Sequence, residues 1–168
     1  MPTGLFSAAL LRQAEDLLAL YRRAGKRIAT AESCTGGLIA GCLTEIAGSS
    51  DVVDRGFVTY SNAAKTEMLG VSPALLDHPG PGAVSAEVAV AMAKGALAAS
   101  QADAAVSATG IAGPGGATAD KPVGLVYLGC ARRGGPAKAL RHVFAGDRAA
   151  VRLATVREAL RILAEAVE

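Results

Sequence analysis

Ser33 stands in the run Ala31-Glu32-Ser33-Cys34-Thr35-Gly36-Gly37, where a short apolar strand pattern gives way to a helical one. A strand that turns sharply into a helix exposes a hydroxyl there. It also directs backbone N–H groups and the positive end of the helix at the same point. A nucleophile and an oxyanion site could therefore coincide at Ser33. Gly36 and Gly37 would admit a substrate close to the backbone, where side chains would block it. The competing reading makes Ser33 or Thr35 an N-cap, since both residue types cap helices. Cys34 is the rival nucleophile and is expected to pack inward.

A serine nucleophile needs a base. His78 sits in the breaker-rich run Asp77-His78-Pro79-Gly80-Pro81-Gly82 and His142 in a strand pattern, and the chain has no Gly-x-Ser-x-Gly elbow. A Ser-His-Asp triad has little support from this arrangement. Lys65 follows Tyr60-Ser61-Asn62 at a strand end, where partial desolvation would lower its pKa enough to accept the serine proton. The competing reading of Lys65 is a solvated helix lysine. Lys121, just beyond a Gly-rich loop, is a weaker candidate for the same role.

Three resemblances to other chemistry fail on spacing. The loop Gly110-Ile111-Ala112-Gly113-Pro114-Gly115-Gly116 follows a strand but lacks both the Gly-Lys-Ser/Thr ending of a P-loop and GxGxxG spacing. Tyr60 and Lys65 are five apart, which does not put them on one helical face as in tyrosine-lysine dehydrogenases. No His/Cys/Asp/Glu cluster has metal-ligand spacing, so neither a metal nor another cofactor is expected.

The elements that must position these residues alternate along the chain. A helix is predicted from Ser7 to Ala24, with Leu11, Ala14, Leu18 and Tyr21 on one face and Gly25 as its stop. Strand Arg27 to Ala31, helix Leu38 to Ile46 and strand Val52 to Tyr60 follow, then a short helix carrying Lys65 and ended by Gly70. Ser85 caps the next helix, with Glu87 in its first turn. Strand Asp103 to Ala108 opens into the Gly-rich loop. Gly124 to Ala131 and Ala137 to Phe144 form an antiparallel hairpin, so the sheet is mixed. Asp147 caps a last helix with Ala149, Leu153, Val156, Leu160, Leu163 and Val167 at three-four spacing. The fold class expected is α/β, a single three-layer domain over residues 1–168 with a mixed sheet flanked by helices.

Composition agrees. At 168 residues one core is the default, and 51% hydrophobic residues with only 4% aromatics favour tight helix-on-sheet packing. The net charge of +2 is scattered without blocks of like charge, so no nucleic-acid or membrane partner is expected and any anionic partner should be small. The most apolar stretch, Ala83 to Ser100, is interrupted by Glu87 and Lys94, and the N-terminus does not read as a secretory signal. A cytoplasmic protein with reduced cysteines follows, with Cys42 and Cys130 as small buried hydrophobes.

Six ordered motifs resemble the CinA C-terminal domain family: the run around Ser33; Tyr60-Ser61-Asn62-x-x-Lys65 with Leu69-Gly70-Val71; Val84-Ser85-x-Glu87; Thr109 to Gly116; Lys121-Pro122-Val123-Gly124; and Gly146-Asp147-Arg148. The likeness spans nearly the whole chain. It implies nicotinamide-nucleotide amidase activity, converting nicotinamide mononucleotide and water to nicotinate mononucleotide and ammonia. It carries the nucleophile onto Ser33 and the base onto Lys65, with Tyr60 as a neighbour in the proton network. Some members carry a large N-terminal domain; the amidase half alone is expected here, as a symmetric dimer. The competing class is a non-catalytic nucleotide-binding accessory module linked to competence or damage response.

The substrate-binding positions expected on the amidase reading are Thr35, Gly36, Gly37, Ser50, Asn62, Thr109, Gly110, Gly113 and Gly115, together with two arginines. Arg148 and Arg152 are four apart at the start of the last helix, where the dipole disfavours cations unless an anion is bound. A substrate phosphate would supply that anion. The alternative is two solvated arginines, Arg148 pairing with Asp147.

Overall fold

In the computed structural model, which describes residues 4–168, the helix and strand signals resolve into a five-stranded sheet with helices on both faces. The elements are α1 (Ala8–Ala24), β1 (Ile28–Glu32), α2 (Leu38–Thr44), β2 (Val53–Val58), α3 (Asn62–Leu69), α4 (Pro73–Leu76), α5 (Ala86–Ala98), β3 (Ala104–Gly110), β4 (Leu125–Arg132), β5 (Ala137–Val143) and α6 (Arg148–Glu165). The strand order is β2-β1-β3-β4-β5. β1 pairs in parallel with β2 and β3, and β4 pairs antiparallel with β3 and β5, so the sheet is mixed as expected.

Local chemistry sets the helix ends. Ser7, Ser61, Ser85 and Asp147 each accept a backbone N–H with the side chain at the start of α1, α3, α5 and α6. Each satisfies one donor that the first helical turn leaves unpaired. Gly25 and Gly70 end α1 and α3 in the left-handed conformation that glycine adopts without a Cβ penalty. α4, with Ser72 as cap and Pro73 in its first turn, is an additional short helix that the spacing did not indicate.

One core lies between the sheet and α1, α2 and α6, joining Leu18 and Tyr21, Ile39 and Leu43, and Leu160 and Leu163 to Val106 and Leu128. The second lies on the opposite face, where α5 lays Val88, Met92, Ala93 and Ala96 on Ala29, Ala31 and Ala105. The central β1 is buried along its whole length, as a parallel strand covered on both faces must be. α6 buries most of its expected face, with Val156, Leu160 and Leu163 in the core and Leu153 and Val167 packed against it. Val151, Thr155, Val156, Ala159, Leu160, Ile162 and Leu163 point inward, whereas Ala149 is exposed and Leu153 only half-buried.

Alanine and glycine let α5 approach the sheet closely. Ser107 Oγ donates to the Ala89 carbonyl of α5 and accepts the Gly129 N–H at 3.1 Å. A Cβ at Gly129 would fall 2.2 Å from the Ala89 carbonyl oxygen, so no side chain fits under the helix. Gly129→Ala is expected to cost at least about 1–3 kcal/mol through overpacking, read as a lower urea midpoint at unchanged slope. An unaltered midpoint would mean that α5 lifts from the sheet at no cost.

Candidate active site

The site is built where β1 ends. Glu32 lies opposite Val58 in the parallel β1–β2 register. Pairing continues one residue further, where the Thr59 N–H donates to the Glu32 carbonyl at 2.8 Å. On the other side the Ser33 N–H donates to the Ala108 carbonyl of β3 at 2.9 Å. The Ser33 carbonyl accepts the Gly36 N–H at 3.0 Å, closing a tight turn. Gly36 at φ +57° and Gly37 at φ +100° give that turn its left-handed backbone. Neither glycine lines the cavity beside Ser33; their conformation, not close substrate approach, is what the turn requires of them.

Ser33 and Thr35 do not cap α2. Gly37 occupies the cap position without a side-chain acceptor, and the carboxylate of Glu32 does the work from the strand. Its oxygens accept the N–H groups of Ile39 at 2.9 Å and Ala40 at 3.0 Å. Glu32 is fully buried, which an anion tolerates where charge-assisted bonds and a helix N-terminus meet it. The sequence motif contained Glu32, yet spacing alone gave it no role, because a cap seven residues ahead of its donor lies outside local capping patterns.

Lys65 is brought to Ser33 by the same register. Ser61 starts α3 by accepting the Ala64 N–H at 3.0 Å, which puts Lys65 on the inward face, 1% exposed. Its Nζ donates to the Thr59 carbonyl at 2.9 Å and lies in hydrogen-bond contact with Ser33 Oγ at 3.0 Å. Burial pulls the Lys65 pKa below the ordinary lysine value, with proximity to Cys34 opposing the shift. The pair has the geometry of a nucleophile and its base. Cys34 packs into the core and also borders the cavity beside Ser33, with its thiol pushed up to about 11 by burial, which disfavours the thiolate that would be needed for attack.

Ser33 and Lys65 face a cavity of about 220 Å³ whose walls include Tyr60, Asn62, Thr109, Gly110 and Arg148. Cys34, Ala83, Val84 and Ala112 form its apolar side, the last three without a role assigned from the sequence. The exposed Tyr60 borders this cavity, but its hydroxyl bonds Arg148 at 3.1 Å instead of Ser33 or Lys65. Arg148 also donates to the Gly113 carbonyl at 2.9 Å and makes no ion pair with Asp147, whose carboxylate accepts the Ala150 N–H. Arg148 and Ala112 also border a wider pocket of about 690 Å³ with Pro114, Val123 and the start of α6.

Other expected positions lie outside the cavity beside Ser33. Arg152 directs its guanidinium at the carbonyls of Cys34 and Thr35, each at 3.1 Å, and also lines the wider pocket beside Arg148. Thr35 is wholly buried in the turn, and Gly115 is exposed in its loop. Ser50 lies beyond the opposite end of β1, where its carbonyl accepts from Arg27. Lys121 Nζ donates to the Pro81 carbonyl at 2.7 Å and so is not in contact with Ser33. His78 is exposed in its loop, and His142 stacks on Phe144 of the far edge.

Residues 11–167 match the model of the CinA C-terminal domain. The chain belongs to this family. It is 55% identical to nicotinamide-nucleotide amidohydrolase PncC of Enterobacter agglomerans over 82% of this chain and 83% of that one. It is 48% identical to the PncC of Escherichia coli over 92% of each chain. The crystal structure of competence/damage inducible protein CihA from Agrobacterium tumefaciens superposes with a TM-score of 0.94 at 50% identity, covering 99% of this chain and 100% of that one. No helix among the described residues of this CinA domain is long and apolar enough to cross a membrane.

A buried lysine makes stability depend on pH. In the window between the depressed folded pKa of Lys65 and the ordinary lysine value of 10.5, the unfolded chain binds more protons, so stability rises with pH. Lys65→Met removes this linkage. The variant is expected to melt above the wild type at neutral pH, by a margin that shrinks as pH climbs to the lysine value, measured by thermal denaturation across pH. A margin independent of pH would contradict the burial argument.

Proposed function

We propose that this CinA domain hydrolyses the carboxamide of nicotinamide mononucleotide, with Ser33 as nucleophile and Lys65 as general base. The observation that carries the reading is the buried 3.0 Å contact between Lys65 Nζ and Ser33 Oγ, open to a cavity with both polar and apolar walls. The PncC names of its relatives supply the substrate. A non-catalytic nucleotide-binding module would leave this contact without a use, since burying a lysine costs stability.

The neutral amine of Lys65 takes the Ser33 proton as Oγ attacks the carboxamide carbon. Negative charge then develops on the carboxamide oxygen beside the turn after Ser33. The N–H groups of Cys34 and Thr35, which have no acceptor among the described residues, are its candidate donors. Lys65 passes the proton to the leaving nitrogen, and ammonia departs to leave an acyl-enzyme. Water, deprotonated by Lys65, hydrolyses that ester and releases nicotinate mononucleotide. In this arrangement Asn62 and Thr109 border the ring, and the ribose phosphate extends past Arg148 into the wider pocket. Arg148 would then exchange its neutral partners, the Tyr60 hydroxyl and the Gly113 carbonyl, for the phosphate. The reading includes a cytoplasmic enzyme and a symmetric dimer, the latter testable by analytical ultracentrifugation.

Purified protein incubated with nicotinamide mononucleotide should release ammonia and nicotinate mononucleotide, followed by mass spectrometry. Ser33→Ala should lower turnover by several orders of magnitude, Cys34→Ala should retain activity, and chelation with EDTA should leave the rate unchanged. Product formation no greater than in the Ser33→Ala control would favour the binding module. A wild-type rate rising with pH through an apparent pKa below that of free lysine is expected from the base assignment. Arg148→Ala should weaken use of the mononucleotide about ten- to a hundred-fold, the scale of one charge-assisted contact, and the phosphate-free riboside much less. Equal loss on both substrates would remove Arg148 from phosphate binding.

A further inference from the structure

We infer that Arg152 is a positioning residue for the reaction at Ser33, setting the oxyanion-binding turn from behind rather than holding the substrate phosphate; this rests on the amidase reading above. Its Nε and Nη2 donate to two consecutive carbonyls, Cys34 and Thr35, each at 3.1 Å. A guanidinium holds such a pair as a rigid fork, which lysine cannot do. Because a peptide unit is planar and trans, its N–H points opposite to its carbonyl. Fixing the Cys34 carbonyl on Arg152 therefore aims the Thr35 N–H away from α6. The preceding plane is fixed in the same way, since the Ser33 carbonyl accepts the Gly36 N–H at 3.0 Å and the Cys34 N–H points opposite to it. Both N–H groups have no acceptor among the described residues.

The rest of the turn is held as firmly. Arg152 packs directly against the turn, since a Cβ at Gly36 would lie 3.4 Å from its Nη2. The α2 end is bonded by Glu32 and the strand end by Ala108. Arg152 is the one contact on the turn carbonyls that comes from α6, the helix that also carries Arg148. Both arginines line the wider pocket, but only Arg148 also borders the cavity beside Ser33, whereas the guanidinium of Arg152 is engaged by the backbone carbonyls of the turn. The placement of two cations near the start of α6, unfavourable to the helix dipole, is answered for Arg152 by carbonyl acceptors of the chain itself.

The test compares Arg152→Lys and Arg152→Ala with the wild type on nicotinamide mononucleotide and on the riboside, alongside amide NMR of the unliganded proteins. Arg152→Lys keeps charge and most of the packing while losing the fork. It is expected to lower kcat by roughly 100-fold, the scale of a misplaced reacting group, with KM nearly unchanged and the same fractional loss on both substrates. Guanidinium ion should restore part of the rate to Arg152→Ala. The amide signals of Cys34, Thr35 and Gly36 should shift in Arg152→Lys and stay in place in Arg148→Ala. Loss confined to the mononucleotide, or appearing in KM, would overturn the assignment in favour of a phosphate ligand. If the wild type turned over neither substrate, the amidase reading would fail. The amide signals would still decide whether Arg152 sets the turn, and unshifted signals in Arg152→Lys would overturn it.

Discussion

A lysine ammonium taken out of water is the constraint around which this molecule is organised. Desolvation disfavours the charged form of Lys65, so the fold must either neutralise the amine or supply acceptors for it. It supplies the Thr59 carbonyl and the Ser33 hydroxyl, and burial draws the pKa down. The parallel pairing of β1 with β2 places Thr59, whose N–H donates to the Glu32 carbonyl, and the bond from the Ser33 N–H to the Ala108 carbonyl of β3 holds Ser33. The chain thus closes a ring from Glu32 through Thr59 and Lys65 to Ser33. A slip of one residue in that register would turn the alternate faces over and separate the two groups.

The backbone turn after Ser33 is the second part of the same device. A turn with two left-handed glycines has little stiffness of its own. Here its polar groups are met from three directions: a buried carboxylate on the α2 N–H groups, a β3 carbonyl on the Ser33 N–H and a guanidinium on the turn carbonyls. Opposite charges on opposite backbone dipoles leave few alternative conformations. A site held this way needs little reorganisation when charge develops on a bound substrate.

Small side chains make this arrangement possible. Alanines on β1 and β3 and the glycine of β4 let α5 settle against one face. The longer apolar residues of α1, α2 and α6 fill the other. With both faces covered, the ends of β1 and β3 are the places where polar groups can meet a ligand without crossing the core, consistent with ligand binding at the carboxyl ends of parallel strands.

The caps Ser7 and Ser61 emerged only in the structure, whereas Ser33 and Lys65 as a candidate pair, the capping residues Ser85 and Asp147, and the mixed three-layer architecture were all legible in the amino-acid sequence. Each of these depends on local spacing: an apolar period, a cap next to its helix, or a motif run in a fixed order. Apart from the contact between Ser33 and Lys65, the long-range hydrogen bonds were not legible. Nothing in the spacing of Glu32 marks it as the cap of α2, because its donors become neighbours only when the turn folds back. Arg148 and Arg152 share one helical spacing, yet one bonds Tyr60 and the other the Ser33 turn, a difference set by how α6 is rotated on the sheet. Ser50 and Gly115 read like site residues by type and fall away from the cavity because strand direction and loop length decide which end of the sheet they occupy. Residue types and their order determined which chemistry this chain could host, and the side chains that α3 and α6 send to the turns following β1 and β2 decided which groups meet.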